Sequence, residues 1–290
     1  MDVETNEKRI PSAAFLLLAA FTTTVGGLLL VSGCSSVPVT GRRQLLVMSQ
    51  AEENKLGLTA YQQVLQEEPV TKQIPVSDLV RRVGDRIAAV AERPDFEWDF
   101  NVIESPTQNA FCLPGGKVAV YTGILPVCQT EAGLAVVMSH EIGHAIARHG
   151  GERMSHQTVQ NTVKKGVELL VKDTKSTTQN IVLTAYGAGA QYGAILPYSR
   201  KHELEADEIG VMLMAKAGYD PSEAPEFWER FSAAKEGSET PMEFLSTHPS
   251  DARRSAALRE KLPEAMQAYQ QAAVKYGQGI AVDTVMQPGI

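Results

Sequence analysis

The five residues His140-Glu141-Ile142-Gly143-His144 place two imidazoles four positions apart, with a carboxylate directly after the first. On a helix, at about 100° per residue, the two histidines lie roughly 40° apart on one face and Glu141 flanks them. Two imidazoles so placed can reach one metal ion while the carboxylate reaches a water beside it, which is the chemistry of metal-assisted hydrolysis. The run Leu134 to Met138 before the motif is apolar. An imidazole pair buried along that stripe without a partner would be costly, so two ordinary surface histidines are the poorer account. Gly150-Gly151 reads as the stop of this helix.

A hydrolytic metal of this kind needs a third protein ligand and an open position. His149 falls one residue short of the spacing that metzincins use, Ala147 stands where they need glycine, and on a straight helix His149 projects about 180° from His140. Neither it nor His156 is expected to bind. The next cluster is SRKHELEADEIG, Ser199 to Gly210. With Glu203 as origin, Ala206, Asp207, Gly210, Val211, Leu213 and Met214 fall within roughly 80° on either side, whereas Glu205 and Glu208 fall at about 200° and 140°. Glu205 and Glu208 are therefore expected on the solvated face, with His202 at its border. Glu203 and Asp207 sit in the apolar face, where each carboxylate needs its own cation or donor. A metal for one and a ligand imidazole N–H for the other satisfies both, and helical phase leaves the order open. Ala206 and Gly210 beside them allow a close approach to the His140 helix.

The elements that must hold these residues follow from pattern. The chain has 290 residues, 43% hydrophobic and 21% charged, with a net charge of −7, a composition that suits a globular protein and gives no clustered positive charge for nucleic acid. Ser49-Gln50-Ala51-Glu52 is a capping box opening a helix through about Glu67, and a second helix reads from Ser77 to about Ala91. Trp98, Phe100 and Val102 alternate as in a half-buried strand. Asn109 to Leu113 and Lys117 to Thr122 read as two strands around Pro114-Gly115-Gly116, after which helices dominate to about Tyr276. The order implies an α+β fold, mostly helical, in which one domain over residues 49–290 carries a small antiparallel or mixed sheet beside the HEIGH helix. The Gly/Ala-rich stretch Ile181 to Tyr198 is short for a membrane span and suits a closely packed helix.

Lys8 and Arg9, an apolar stretch from Ile10 to Val31, and then Val31-Ser32-Gly33-Cys34 have the layout of a lipoprotein export signal. Residues 1–33 are expected to be removed, Cys34 to be lipidated, and residues 34–48 to form a polar tether. Ser35 after the cysteine favours the outer membrane, facing the periplasm. In that compartment Cys112 and Cys128 have the option of pairing, and two buried free thiols are the equal alternative.

Together SHEIGH and Ser199-Arg200-x-x-Glu203-x-Glu205-Ala206-Asp207 resemble the gluzincin metallopeptidase family that includes HtpX and the CaaX prenyl protease. The soluble lipoprotein branch, with BepA and LoiP, is the nearer likeness. The resemblance spans Thr40 to Leu262 and implies a zincin-like fold with one zinc ion per chain held by His140, His144 and Glu203. It further implies Glu141 as general base and Asp207 as the outer support of the site. Asn109, Ala110 and Phe111 resemble the edge strand on which an extended substrate adds. Ser246-Thr247-His248-Pro249 with Arg254 matches a further family motif, in which His248 is either a donor to the oxyanion or a fourth ligand that keeps the site latent. Arg254 supports the site or forms a structural ion pair. The implied activity is endoproteolysis of unfolded or misassembled envelope proteins. The rival expectation is a zinc-stabilised assembly lipoprotein with little turnover.

Overall fold

Ser49 accepts from the Glu52 backbone N–H while the Glu52 side chain accepts from the Ser49 N–H, and this capping box starts the first long helix at the residue the sequence indicates. The computed structural model describes residues 34–171, 196–234, 244, 248 and 252–286. The export signal over residues 1–33, the stretch 181–195, and Ser246, Thr247 and Pro249 lie outside them. In chain order the elements are β1 (Cys34–Ser36), β2 (Arg43–Leu45), α1 (Gln50–Glu67), α2 (Ile74–Ala88), β3 (Asp99–Ile103), β4 (Ala110–Leu113) and β5 (Lys117–Tyr121). There follow α3 (Leu125–Cys128), α4 (Glu131–Ile146), α5 (His149–Val171), α6 (Leu196–Lys216), α7 (Glu223–Ala234), α8 (Ala252–Gln271) and α9 (Asp283–Met286).

The three-stranded sheet has the order β3-β5-β4, with β3 parallel to β5 and β4 antiparallel to it. Gly115 (φ 86°) and Gly116 (φ 79°) make the turn between β4 and β5, both in the left-handed region that side chains avoid. β4 is thereby left as an edge strand, packed against α4. The fold is the expected α+β, mostly helical, and no helix among the described residues is long and apolar enough to cross a membrane.

α4 is the central element, with nearly every side chain buried. Thr130 caps its start by accepting from the Gly133 N–H. The Glu131 and Ala132 N–H groups donate to the carbonyls of Ile280 and Gln278, so the segment after α8 satisfies the first turn of the helix. Glu131 is held in that turn by Arg82 and Arg86 of α2. On its other side α4 lies directly on α6. A Cβ added at Gly143 would stand 2.9 Å from the Ala206 carbonyl oxygen, and one at Gly210 would stand 3.0 Å from the His140 nitrogen. The small residues thus do what the sequence suggests, and they bring His140 and Glu203 within reach of one point.

Two expectations change, and one choice left open is decided. The stop of α4 is not Gly150-Gly151. The helix ends at Ile146 with Ala147 as its cap, Arg148 turns the chain at φ 56°, and both glycines lie inside α5. Arg148 is fixed there by Glu53 at 2.8 Å and by the Met48 carbonyl at 2.8 Å, and Gly151 leaves room for the same Glu53 carboxylate. Second, the segment expected as a polar tether is paired as β1 and β2, and its Val37 is buried in the main core. Third, Cys112 and Cys128 are free thiols, with burial pushing both far up in pKa.

Candidate metal centre

α4 presents His140, Glu141 and His144, and α6 presents Glu203 opposite them. His144 Nε2 lies 3.2 Å from His140 Nε2 and 3.5 Å from Glu203 Oε1. Glu203 Oε2 lies 3.4 Å from His140 Nε2 and 3.1 Å from His248 Nδ1. Among the described residues, His140, His144, Glu203 and His248 form one group whose donor atoms all lie within 4.8 Å of one another. The donor set of imidazole nitrogens and one carboxylate oxygen suits zinc.

The electrostatics of the group call for a cation. Burial raises the Glu203 carboxyl, but hydrogen bonds from His140, His144 and His248 carry it well below the usual carboxylate range. His140 is lowered by burial and raised by its bonds to Asp207 and Glu203, to about 9 on balance, the direction expected where the surrounding carboxylates favour positive charge. His144 is held neutral by burial. Glu141 is raised by burial, and its Oε1 is a buried oxygen that makes no hydrogen bond, 3.4 Å from His248 Nε2. An acceptor so exposed in electrostatic terms is what a proton-abstracting carboxylate requires.

Asp207 lies behind the group. Its Oδ1 accepts from His140 Nδ1 at 2.9 Å, which fixes the tautomer that leaves Nε2 facing the other donors. Arg254 from α8 holds Asp207 with Nε at 2.7 Å and Nη2 at 2.8 Å, and its guanidinium lies over Trp228 at 3.8 Å. The order that helical phase left open, Glu203 toward the donors and Asp207 outside, is the order in the structure.

Glu205 and His202 correct the sequence reading. Both are buried, not solvated, because His149 and Glu152 from the start of α5, with Thr40 and Arg42 from the β1-β2 hairpin, cover the face of α6 that the helical wheel assigns to solvent. His202 meets Glu152 at 2.9 Å, and Glu205 meets His149 at 3.0 Å, Arg42 at 2.7 Å and the Thr40 hydroxyl. Only Glu208 of the outer pair is part exposed, paired with Lys261. His149 stays outside the donor group, but the turn at Arg148 brings it back against the outer edge of His144, Nδ1 to Nδ1 at 2.8 Å. Sequence reasoning missed this contact because its phase argument assumed an unbroken helix; the Arg148-His149 boundary carries no glycine or proline to signal the break.

Glu152 shows how strong this second network is. Burial raises its carboxyl, yet bonds from His202 and Arg42 bring it down to about 2, against an ordinary 4.5. A folded pKa below the unfolded one stabilises the fold above the unfolded value, and that stability drains as pH falls from about 4.5 toward about 2. The melting temperature followed across that window should fall less steeply for Glu152→Gln than for the parent. Parallel slopes would mean that Glu152 is not a source of the acid sensitivity.

A helix bearing H-E-x-x-H, pressed at glycine distance onto a second helix that supplies a glutamate, is the framework of a metalloendopeptidase of the gluzincin kind. Residues 77–262 match peptidase family M48, and the chain belongs to that family. It is 38% identical to the mitochondrial metalloendopeptidase OMA1 of Schizosaccharomyces pombe over 83% of this chain and 70% of that protein. The corresponding Saccharomyces cerevisiae enzyme is 32% identical over 84% and 75%. A putative beta-barrel assembly-enhancing protease of Vibrio cholerae is 31% identical over 70% of this chain and 42% of its own length. The family expected from the motifs is the one found, while the mitochondrial enzymes match at higher identity than the beta-barrel assembly-enhancing one.

Proposed function

We propose that this metalloendopeptidase is a zinc enzyme of the cell envelope, anchored through lipid at Cys34 in the outer membrane and facing the periplasm, that cleaves unfolded or misassembled envelope proteins. The observation that carries the zinc reading is the convergence of four metal-binding donors beside a buried, unbonded Glu141 oxygen. His140, His144 and Glu203 hold the metal, Asp207 orients His140, and Arg254 holds Asp207. When bound, zinc supplies a Lewis acid that acidifies water and polarises the scissile carbonyl. Glu141 takes the proton of the attacking water and delivers it to the leaving amine. Extended substrate adds along Asn109, Ala110 and Phe111, because β4 is an edge strand packed on the helix that bears the motif.

The envelope assignment rests on the lipoprotein-like layout ending at Cys34 and on the likeness to the Vibrio cholerae protein. Digestion of denatured casein and of an unfolded outer-membrane protein, with chelator and with zinc restored, tests the function. Cleavage that is indifferent to chelator and to added zinc would sink it.

His248 serves as a fourth donor that keeps the resting site closed, a reading supported by its Nδ1 standing among the other donors. His248→Ala should then raise the initial rate of casein cleavage several-fold. The opposite sign, a fall of about 10²–10³-fold in kcat, would assign it instead to the oxyanion.

A further inference from the structure

Each motif histidine has an outer nitrogen, and the two are backed in parallel ways. His140 is backed by Asp207 and then by Arg254. His144 is backed by His149, then by Glu205, then by Arg42. The protons of the second chain follow from its acceptors. Glu205 only accepts, so His149 Nε2 carries the hydrogen toward it; a neutral His149 then accepts at Nδ1, and His144 Nδ1 must donate. That tautomer leaves His144 Nε2 directed at Glu203 and His140.

Arg42 lies outside the helical domain, in the hairpin between β1 and β2. The Val37 N–H donates to the Arg42 carbonyl at 2.8 Å, and the Gly41 N–H to the Val37 carbonyl at 2.9 Å. From that turn Arg42 reaches two buried carboxylates at once, Glu205 through Nε at 2.7 Å and Glu152 through Nη1 at 3.0 Å and Nη2 at 2.7 Å. The rings of His149 and His202 stack at 4.1 Å between these carboxylates, which closes the network. Three carboxylate contacts from one guanidinium fix Glu205 in position as well as in charge.

We infer that Arg42 is a positioning residue for the metal centre, acting through Glu205 and His149 on His144, so that the hairpin next to Cys34 completes the site. This rests on the zinc reading above. Outer partners of a metal-bound histidine typically carry about 10–100-fold in metal affinity. A link of this kind makes metal retention depend on whether the membrane-proximal segment is docked.

The test measures zinc affinity of the full chain by competition with a chromophoric chelator, together with the visible spectrum of the cobalt-loaded protein. Arg42→Met is expected to weaken zinc by about 10–100-fold and to shift the cobalt bands. Arg42→Lys keeps the charge without the fork and should fall in between, which covers the case in which the methionine variant does not fold. Ser155→Ala removes the bond that Ser155 Oγ accepts from Val47 N–H in the same docked segment, together with the one it donates to the Gly151 carbonyl inside α5, and should leave both readouts unchanged. In a His149→Phe background, Arg42→Lys should add no further loss. Parent-like affinity in Arg42→Lys and Arg42→Met, an equal loss in Ser155→Ala, or losses of Arg42→Lys and His149→Phe that multiply would each overturn the inference. A parent chain that binds no zinc would instead overturn the zinc reading.

Discussion

Glu141→Gln is expected to leave a folded protein with its metal affinity nearly intact and no measurable cleavage of denatured casein. The side chain keeps its volume, and Glu141 is not one of the four convergent donors. What it loses is a basic oxygen that stands buried with no hydrogen bond, on a carboxyl whose proton affinity burial has raised. An amide in that place cannot accept a proton from water. General-base catalysis alone is worth about 10²–10⁴-fold, and the same group must also protonate the leaving amine, so the loss lies at or beyond the top of that range. Initial rates, zinc content and the melting curve should be measured on one preparation. A variant that is folded, zinc-loaded and still cleaving at a tenth of the parent rate would remove Glu141 from the mechanism. If the same variant relieved an envelope defect in cells, an assembly role would stand beside proteolysis.

The largest loss of stability is expected from Arg254→Met. Arg254 is buried, binds Asp207 with two nitrogens and lies 3.3 Å from Glu203, so it neutralises the charge on which α6 meets α4. Methionine keeps the contact with Trp228 and leaves the buried Asp207 carboxylate its His140 N–H but not its guanidinium. Removing one partner of a buried pair costs about 3–5 kcal/mol. Denaturant unfolding gives the figure directly, and Asp207→Asn in the same background should return part of it, because an amide without a charge tolerates that site better. A loss below about 1 kcal/mol would show that Arg254 is not the counterion the fold depends on.

The motif part of the donor group was legible because it is local. H-E-x-x-H on a helix needs only the helical repeat, and that repeat also separates Glu203 and Asp207 from Glu208. The family resemblance was needed to choose between Glu203 and Asp207, since both lie on the same face, and the choice depends on where α4 crosses α6. Glu205 and His202 were misread for one reason. A helical wheel knows one helix, whereas the burial of its polar side is decided by the start of α5 and by the β1-β2 hairpin, which arrive from about 50 to 160 residues away in sequence. A polar face covered by another polar face leaves no apolar signature. The left-handed Arg148 was equally silent, being imposed from outside by Glu53 and Met48.

The carbonyls of Gln278 and Ile280 that close the first turn of α4 have a consequence in time. Translation delivers the motif helix about 130 residues before the segment that finishes its amino end. In this order the amino end of the helix stays unfinished until residues 278–280 have been made, after Glu203 on α6 has already followed the two histidines. The last backbone bonds of the motif helix are therefore among the last that the growing chain can form.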